Sequence, residues 1–155
     1  MAGDQYLVDS NVLIRWSQPG DPGYLAADAS LIQLERIQAD LCYTSQNLGE
    51  FWNSLTRPAN RNGYGQSVQE ANRCALAIES RLKLLPDTVA IHHEWRRLIV
   101  EFRVCGAQVH DARLVAAMTV HGVKRILTFN TRDFARFTNI EAIHPLDFSN
   151  QAPAE

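Results

Sequence analysis

Hydrophobic positions along the chain alternate between short continuous runs and helical spacings. Residues 5–9, QYLVD, form an apolar run closed by an acid and predict a buried strand. SNVLIRW follows at once, with helical spacing in Val12, Leu13 and Trp16. Residues 24–39 predict a helix through Leu25, Ala29, Ile32, Leu34 and Ile37. LCYTS, residues 41–45, predicts a second strand, and Leu48, Phe51, Trp52 and Leu55 repeat at i, i+3, i+4 and i+7 in the helix after it. Pro58 should end that helix, because it can neither donate a backbone hydrogen bond nor avoid the preceding turn. Residues 59–66, ANRNGYGQ, read as a loop. Beyond it come a helix over 67–81, a strand in LKLLP, and a helix capped by Asp87 or Thr88 that ends before Gly106. The remainder predicts a helix around Asp111, apolar on more than one face from Val109 to Val120, and a strand in RILTF. A short helix in TRDFARF and a last strand in IEAIHP complete the chain.

Strands and helices alternate from end to end, which favours an α/β domain whose mostly parallel sheet is covered on both faces. The 155 residues suffice for one domain, expected over residues 1–148, with SNQAPAE, residues 149–155, as a mobile tail. No basic segment leads into a long apolar run, so neither a signal peptide nor a membrane span is expected. Cys42, Cys74 and Cys105 form no CxxC pair and read as small buried side chains in a reducing cytoplasm. A net charge of −2 argues against a strongly basic, sequence-blind nucleic-acid binder. It leaves room for a nucleic-acid enzyme whose carboxylates are offset by a metal ion.

Four acids stand apart from those on polar helix surfaces. Asp9 ends the first strand, at the carboxyl edge where open α/β sheets bind ligands, and equally fits a cap for the helix that follows. Glu50 lies in the first turns of its helix, off the apolar stripe, and the Asn47–Glu50 spacing resembles a capping box. Asp111 opens the apolar helix, and Asp133 follows RILTF with Asn130 or Thr131 as a candidate cap. Each acid alone has a bland reading. In a parallel sheet, however, all four positions share one edge.

Two carboxylates about 4 Å apart repel by roughly 4 kcal/mol at an effective dielectric near 20. A cluster therefore calls for protons or cations, and oxygen donors without thiolates suit Mg²⁺ or Mn²⁺. Such an ion activates a water and stabilises charge on phosphorus, which is phosphodiester hydrolysis. Neutralising Asp9 or Asp111 should then abolish cleavage, keep the fold and raise the metal-free melting temperature.

VDSNVLI at 8–14, SQNLGEFWNSLTR at 45–57, HDARLVAA at 110–117 and LTFNTRDF at 127–134 resemble, in order, the four signature blocks of PIN-domain ribonucleases. More narrowly, they resemble the VapC-type toxins of toxin–antitoxin pairs. The resemblance implies a PIN-like three-layer α/β/α sandwich with a mostly parallel sheet of about five strands. By position, Asp9, Glu50 and Asp111 match the three core acids, and Asp133 the fourth. Ser10, Thr128 and Asn130 match supporting polar positions. The implied activity is Mg²⁺- or Mn²⁺-dependent endonucleolytic cleavage of RNA, with a tRNA or rRNA loop as target. The implied partners are a VapB-type antitoxin and a second copy in a homodimer. Two departures are MAGDQ ahead of the first strand and Phe129 where a basic or small residue is common.

Other chemistries find little support. His92, His93, His110, His121 and His144 have no HExxH spacing, and GxGxxG, Walker and GxSxG motifs are missing. Asp4 and Lys124 are poor substitutes for a receiver's paired acids and late lysine, and Asp9-Ser10-Asn11 lacks a DxD phosphatase's second aspartate. The remaining alternative is a non-catalytic RNA-binding or assembly module on the same fold, which predicts the loss of one or more core acids.

Overall fold

The structure, a computed structural model, describes residues 3–149. Past Ser149 the expected tail lies outside the described residues. Five strands form one sheet in the order β3-β2-β1-β4-β5: β1 (Gln5–Val8), β2 (Asp40–Thr44), β3 (Lys83–Leu85), β4 (Arg125–Leu127) and β5 (Glu141–Ile143). Every pairing is parallel, which sharpens the expected mostly parallel sheet to a wholly parallel one. β1 is central, with Leu7 opposite Cys42 on one side and Ile126 on the other.

Strand side chains point alternately to the two faces, and this divides the core. Tyr6, Val8, Leu41, Tyr43 and Leu127 pack with α1 (Ser10–Trp16), α2 (Tyr24–Arg36), α3 (Ser45–Thr56) and α4 (Val68–Arg81). Leu7, Cys42 and Ile126 face α5 (Val89–Glu101) and α6 (Gln108–His121). The result is the expected α/β/α sandwich. Six of the seven residues of Ala112–Met118, all except Arg113, are buried in α6, as its all-round apolar pattern predicts. No helix among the described residues is long and apolar enough to cross a membrane.

The order of the strands positions the site. The chain passes from β1 outward through β2 to β3, then returns across the sheet to enter β4 on the other side of β1. Such a reversal leaves a crevice at the carboxyl ends of the two adjacent strands, here β1 and β4.

Several boundaries differ from expectation. α2 stops at Arg36 rather than reaching residue 39, because Gln38 takes a left-handed conformation at φ 60° and the Ala39 N–H closes onto Leu34 O. The cap of α3 is Thr44 with Asn47, not Asn47 with Glu50. The Thr44 hydroxyl accepts from Asn47 N, and the Asn47 carboxamide oxygen accepts from Thr44 N at 2.9 Å. RILTF, TRDFARF and IEAIHP shorten to β4, a 3₁₀ turn over Thr131–Phe134, and β5. The loop 59–66 contains a 3₁₀ turn and is tied down. Tyr64 donates to Asp21 at 2.9 Å, and a Cβ on Gly63 would strike Arg57 O at 1.9 Å. A short α7 (Leu146–Ser149), unforeseen, sets Phe148 edge-on to Tyr6. Of the cysteines, Cys42 is buried, Cys74 half-buried and Cys105 exposed, so the expectation of three buried thiols holds only in part.

Asn47 is fully buried and caps the helix that carries Glu50. Asn47→Ala is expected to cost about 1–2 kcal/mol, read as a lower urea midpoint at unchanged slope.

Candidate active site

Asp9 is the residue immediately after β1, and its backbone N–H reaches across to Leu127 O of β4 at 3.0 Å. That bond pins the side chain at the crevice between the two strands. Its Oδ1 accepts from Ser10 N at 2.8 Å, and its Oδ2 from Thr128 Oγ1 at 2.8 Å and Asn11 Nδ2 at 3.3 Å. Cap and site are therefore one residue. With 6% exposure, burial pushes the Asp9 carboxyl up to about 6. The Thr128 and Ser10 hydrogen bonds oppose the rise, and the nearby Glu50 charge adds to it.

The partners of Asp9 are themselves fixed. The fully buried Thr128 hydroxyl donates to Asp9 and accepts from Asn11 Nδ2 at 3.2 Å and Asn130 N at 3.0 Å, which fills its hydrogen-bonding capacity. Asn11 Oδ1 accepts from Phe129 N at 3.2 Å and so fastens the chain beyond β4 to α1.

Glu50, in the second turn of α3, has both oxygens engaged. Ser10 Oγ donates to Oε2 at 2.7 Å, and Gln46 Nε2 donates to Oε1 at 2.9 Å. Ser10 Oγ also lies 3.3 Å from Asp9 Oδ1. A hydroxyl carries one proton, so the shorter contact to Glu50 takes it. Gln46 Nε2 bonds His110 O at 2.8 Å as well, joining α3 to the first turn of α6.

Asp111 sits in that first turn, half-buried, and among the described residues no donor bonds its carboxylate. Burial, then the charges of Asp9, Asp133 and Glu50, push it up to about 7, against a smaller lowering by Arg136. Asp133 occupies the 3₁₀ turn after β4, its N–H on Asn130 O at 3.1 Å. A cleft of about 490 Å³ opens here, lined by Gln46, Glu50, Ala107, Gln108, His110, Asp111 and Asp133. Asp9 is buried and lies outside this lining, close enough for its charge to act on Asp111.

All four acids named from the sequence thus meet at one sheet edge, and Ser10 and Thr128 contact them directly. Asn130 does so only through its backbone; its side chain is exposed and makes no cap bond. The Phe129 ring lies against the Arg15 guanidinium at 4.1 Å and at right angles to the His144 ring. His110 is exposed on the cleft wall. Arg57 and Arg61 lie beyond the opposite end of α3, away from the cleft. Sequence reasoning missed Asn11 and Gln46. Gln46 stands four residues before Glu50, the spacing at which helical side chains meet, and that was the available signal.

Among the described residues, no three His, Cys, Asp or Glu side chains close into a ready metal cage. The donor set still suits a hard cation: carboxylates only, two of them forced toward protonation by burial and mutual repulsion. It suits an ion that keeps much of its water, as Mg²⁺ does with one or two protein carboxylates.

These shifts set the pH dependence of stability. The unfolded chain releases the Asp9 and Asp111 protons near pH 4, the folded chain near 6 and 7. Between those values the folded state binds more protons, so this contribution to stability is lost as pH rises. Asp111→Asn should match the wild type near pH 4 and melt about 2–4 °C higher by pH 8 without metal. Calorimetry across that range checks it, and a constant offset would contradict it. Asp9→Asn should show no such gain, since its amide would aim a donor at Ser10 N or at Asn11 and Thr128.

No curated protein matches the chain by sequence. Among solved structures it is similar to VapBC2 from Rickettsia felis bound to a promoter DNA fragment, with a TM-score of 0.70 at 14% identity, over 90% of this chain and 98% of that one. It also resembles Mycobacterium tuberculosis VapC20, described as a Sarcin-Ricin loop cleaving toxin, with a TM-score of 0.64 at 17% identity over 85% and 95% of the chains. PAE2754 from Pyrobaculum aerophilum aligns over 97% and 98%, with a TM-score of 0.60 at 22% identity. At such identities the likeness is one of fold. The family model for the PIN domain matches residues 6–140, nearly the whole described chain, and the chain belongs to the PIN domain family.

Proposed function

We propose that the chain is a metal-dependent endoribonuclease that hydrolyses RNA phosphodiester bonds and acts as the toxin of a toxin–antitoxin pair. The observation that carries the reading is Asp111, a half-buried carboxylate with no hydrogen-bond donor, raised to about 7 in part by three neighbouring acids. An uncompensated negative cluster beside an open cleft is suited to a cation and a phosphate, and poorly suited to structure alone. PIN nucleases generally use divalent metal ions. Similarity to VapC20, named as a Sarcin-Ricin loop cleaving toxin, supports RNA as substrate, with a tRNA or rRNA loop as the target. Similarity to VapBC complexes supports a VapB-type antitoxin as partner. We place the protein in the cytoplasm, as a homodimer.

Asp9, Asp111 and Asp133 would hold Mg²⁺ or, in its place, Mn²⁺, with Glu50 completing the shell directly or through water. The ion, when bound, supplies an activated water and offsets charge developing on the phosphate. The protein's own groups divide the remaining work. Thr128, Asn11 and Ser10 hold the buried Asp9 carboxylate in one orientation and keep bulk water from it. Gln46 and Ser10 occupy both Glu50 oxygens, so Glu50 orients its neighbours from a fixed position. Asp111 and Asp133, whose carboxylates receive no hydrogen bond among the described residues, are free to take a ligand.

Purified protein incubated with total small RNA is expected to cut it with Mg²⁺ or Mn²⁺ and not in EDTA. Asp111→Asn should lower the rate at least about 100-fold while remaining folded. Well-folded wild type that binds RNA without cutting it would instead favour the non-catalytic module.

A further inference from the structure

We infer that the depression on the far side of Asp133 is a nucleotide subsite, in which Arg132 binds an RNA backbone phosphate beside the scissile bond and Phe129 walls the adjoining nucleoside. The inference rests on the ribonuclease reading above. The depression, about 240 Å³, is lined by Phe129, Asn130, Thr131, Arg132 and Asp133. It shares Asp133 with the acidic cleft, so a strand crossing the acids continues into it.

The physical need comes from charge. An RNA strand approaching four carboxylates is repelled wherever their charge is not offset, and cations bordering the cleft must hold it there. Besides Arg15, which stacks on Phe129 and lies 4.0 Å from Asp21, two guanidiniums belong to this region. Arg136 is half-buried and committed to Gln108 Oε1 and to Phe102 O. Arg132 is exposed, and among the described residues its side chain makes no hydrogen bond or ion pair. Even Asp133, its neighbour in sequence, does not pair with it. A planar fork of donors that faces solvent at the lip of a cleft matches a phosphate bidentately.

Its neighbours add the rest of a nucleotide's surface. The Asn130 carboxamide is exposed and unbonded, offering a donor and an acceptor to a base edge. Phe129 is held from both sides, with Arg15 stacked on one face and the His144 ring edge-on at 5.2 Å, so it presents a rigid apolar wall. These groups lie within four consecutive residues, which fixes their spacing through the 3₁₀ turn.

The test measures binding of a fluorescein-labelled, mixed-sequence, single-stranded RNA of about 15 nucleotides. It uses the Asp111→Asn background so that the probe stays intact, and titrates salt upward from about 50 mM. Adding Arg132→Gln should weaken binding about five- to tenfold at the lowest salt and reduce the slope of log Kd against log salt by about 0.7, one phosphate contact. Arg61→Gln, on the distant loop, should change neither. In the cleaving protein, Arg132→Gln should raise KM and leave kcat within about twofold. An unchanged slope, or an equal loss in Arg61→Gln, overturns the subsite. If the wild type cuts RNA in the same buffers, that result removes the subsite alone. If folded wild type neither cuts nor binds RNA, both readings fall.

Discussion

A carboxylate buried between the ends of two parallel strands is the constraint around which this domain is arranged. An ionisable group at such depth is tolerated only where donors replace its water. Those around Asp9 come from two places: the start of α1, through Ser10 and through Asn11, which also holds the chain beyond Thr128, and the buried hydroxyl after β4. To supply them, β1 and β4 must be neighbours, α1 must begin without a linker, and the segment after β4 must turn back at once. The crossover from β3 to β4 achieves the first condition and opens the crevice in doing so. Topology and chemistry meet in one side chain.

Much of this arrangement is legible in the residues, and what is not has identifiable reasons. The runs before Asp9 and after residue 40 are short, apolar and closed by polar residues, so their strands and exits stand out. α6 stands out by its unbroken apolar character, and Asp111 by contrast with it. The end of α2 does not, because Gln38 adopts a left-handed conformation that no local signal marks. The cap of α3 lies three residues ahead of the Asn47–Glu50 spacing, hidden because Thr44 still belongs to an apolar strand and its partner Asn47 is a polar residue buried without periodicity. Asn11 and Gln46 were missed for a related reason. Amides form no pattern along a chain, and beside its local partner each of these two bonds a group more than sixty residues away, Asn11 at Thr128 and Gln46 at His110 O. That part of their role exists only in three dimensions.

Electrostatics explains why the cluster stands out against a nearly neutral chain. Net charge spread over a surface is screened within about 8–10 Å at physiological salt, but four acids around a semi-enclosed cleft are screened far less. The protein offsets the field unevenly. Asp9 is surrounded by donors, Glu50 is clasped at both oxygens, and among the described residues Asp111 and Asp133 receive no hydrogen bond, with Arg136 giving Asp111 only partial relief. Strain concentrated on open carboxylates is the usual mark of a site that trades stability for reactivity. The same logic separates the two guanidiniums. One is drawn inward to polar atoms of the fold, and the other is left outside.

The two aspartates at the heart of the cleft are therefore unequal as targets of mutation. Asp9 is both a helix cap and the hub of a hydrogen-bond network, so most replacements would damage folding along with chemistry, and the chain would be cleared by proteolysis. Among the described residues no hydrogen bond of the fold runs through the Asp111 side chain. Lineages that shed the activity of this domain while retaining the protein should do so through codon 111, leaving inert but persistent copies still able to occupy whatever partner recognises the intact surface.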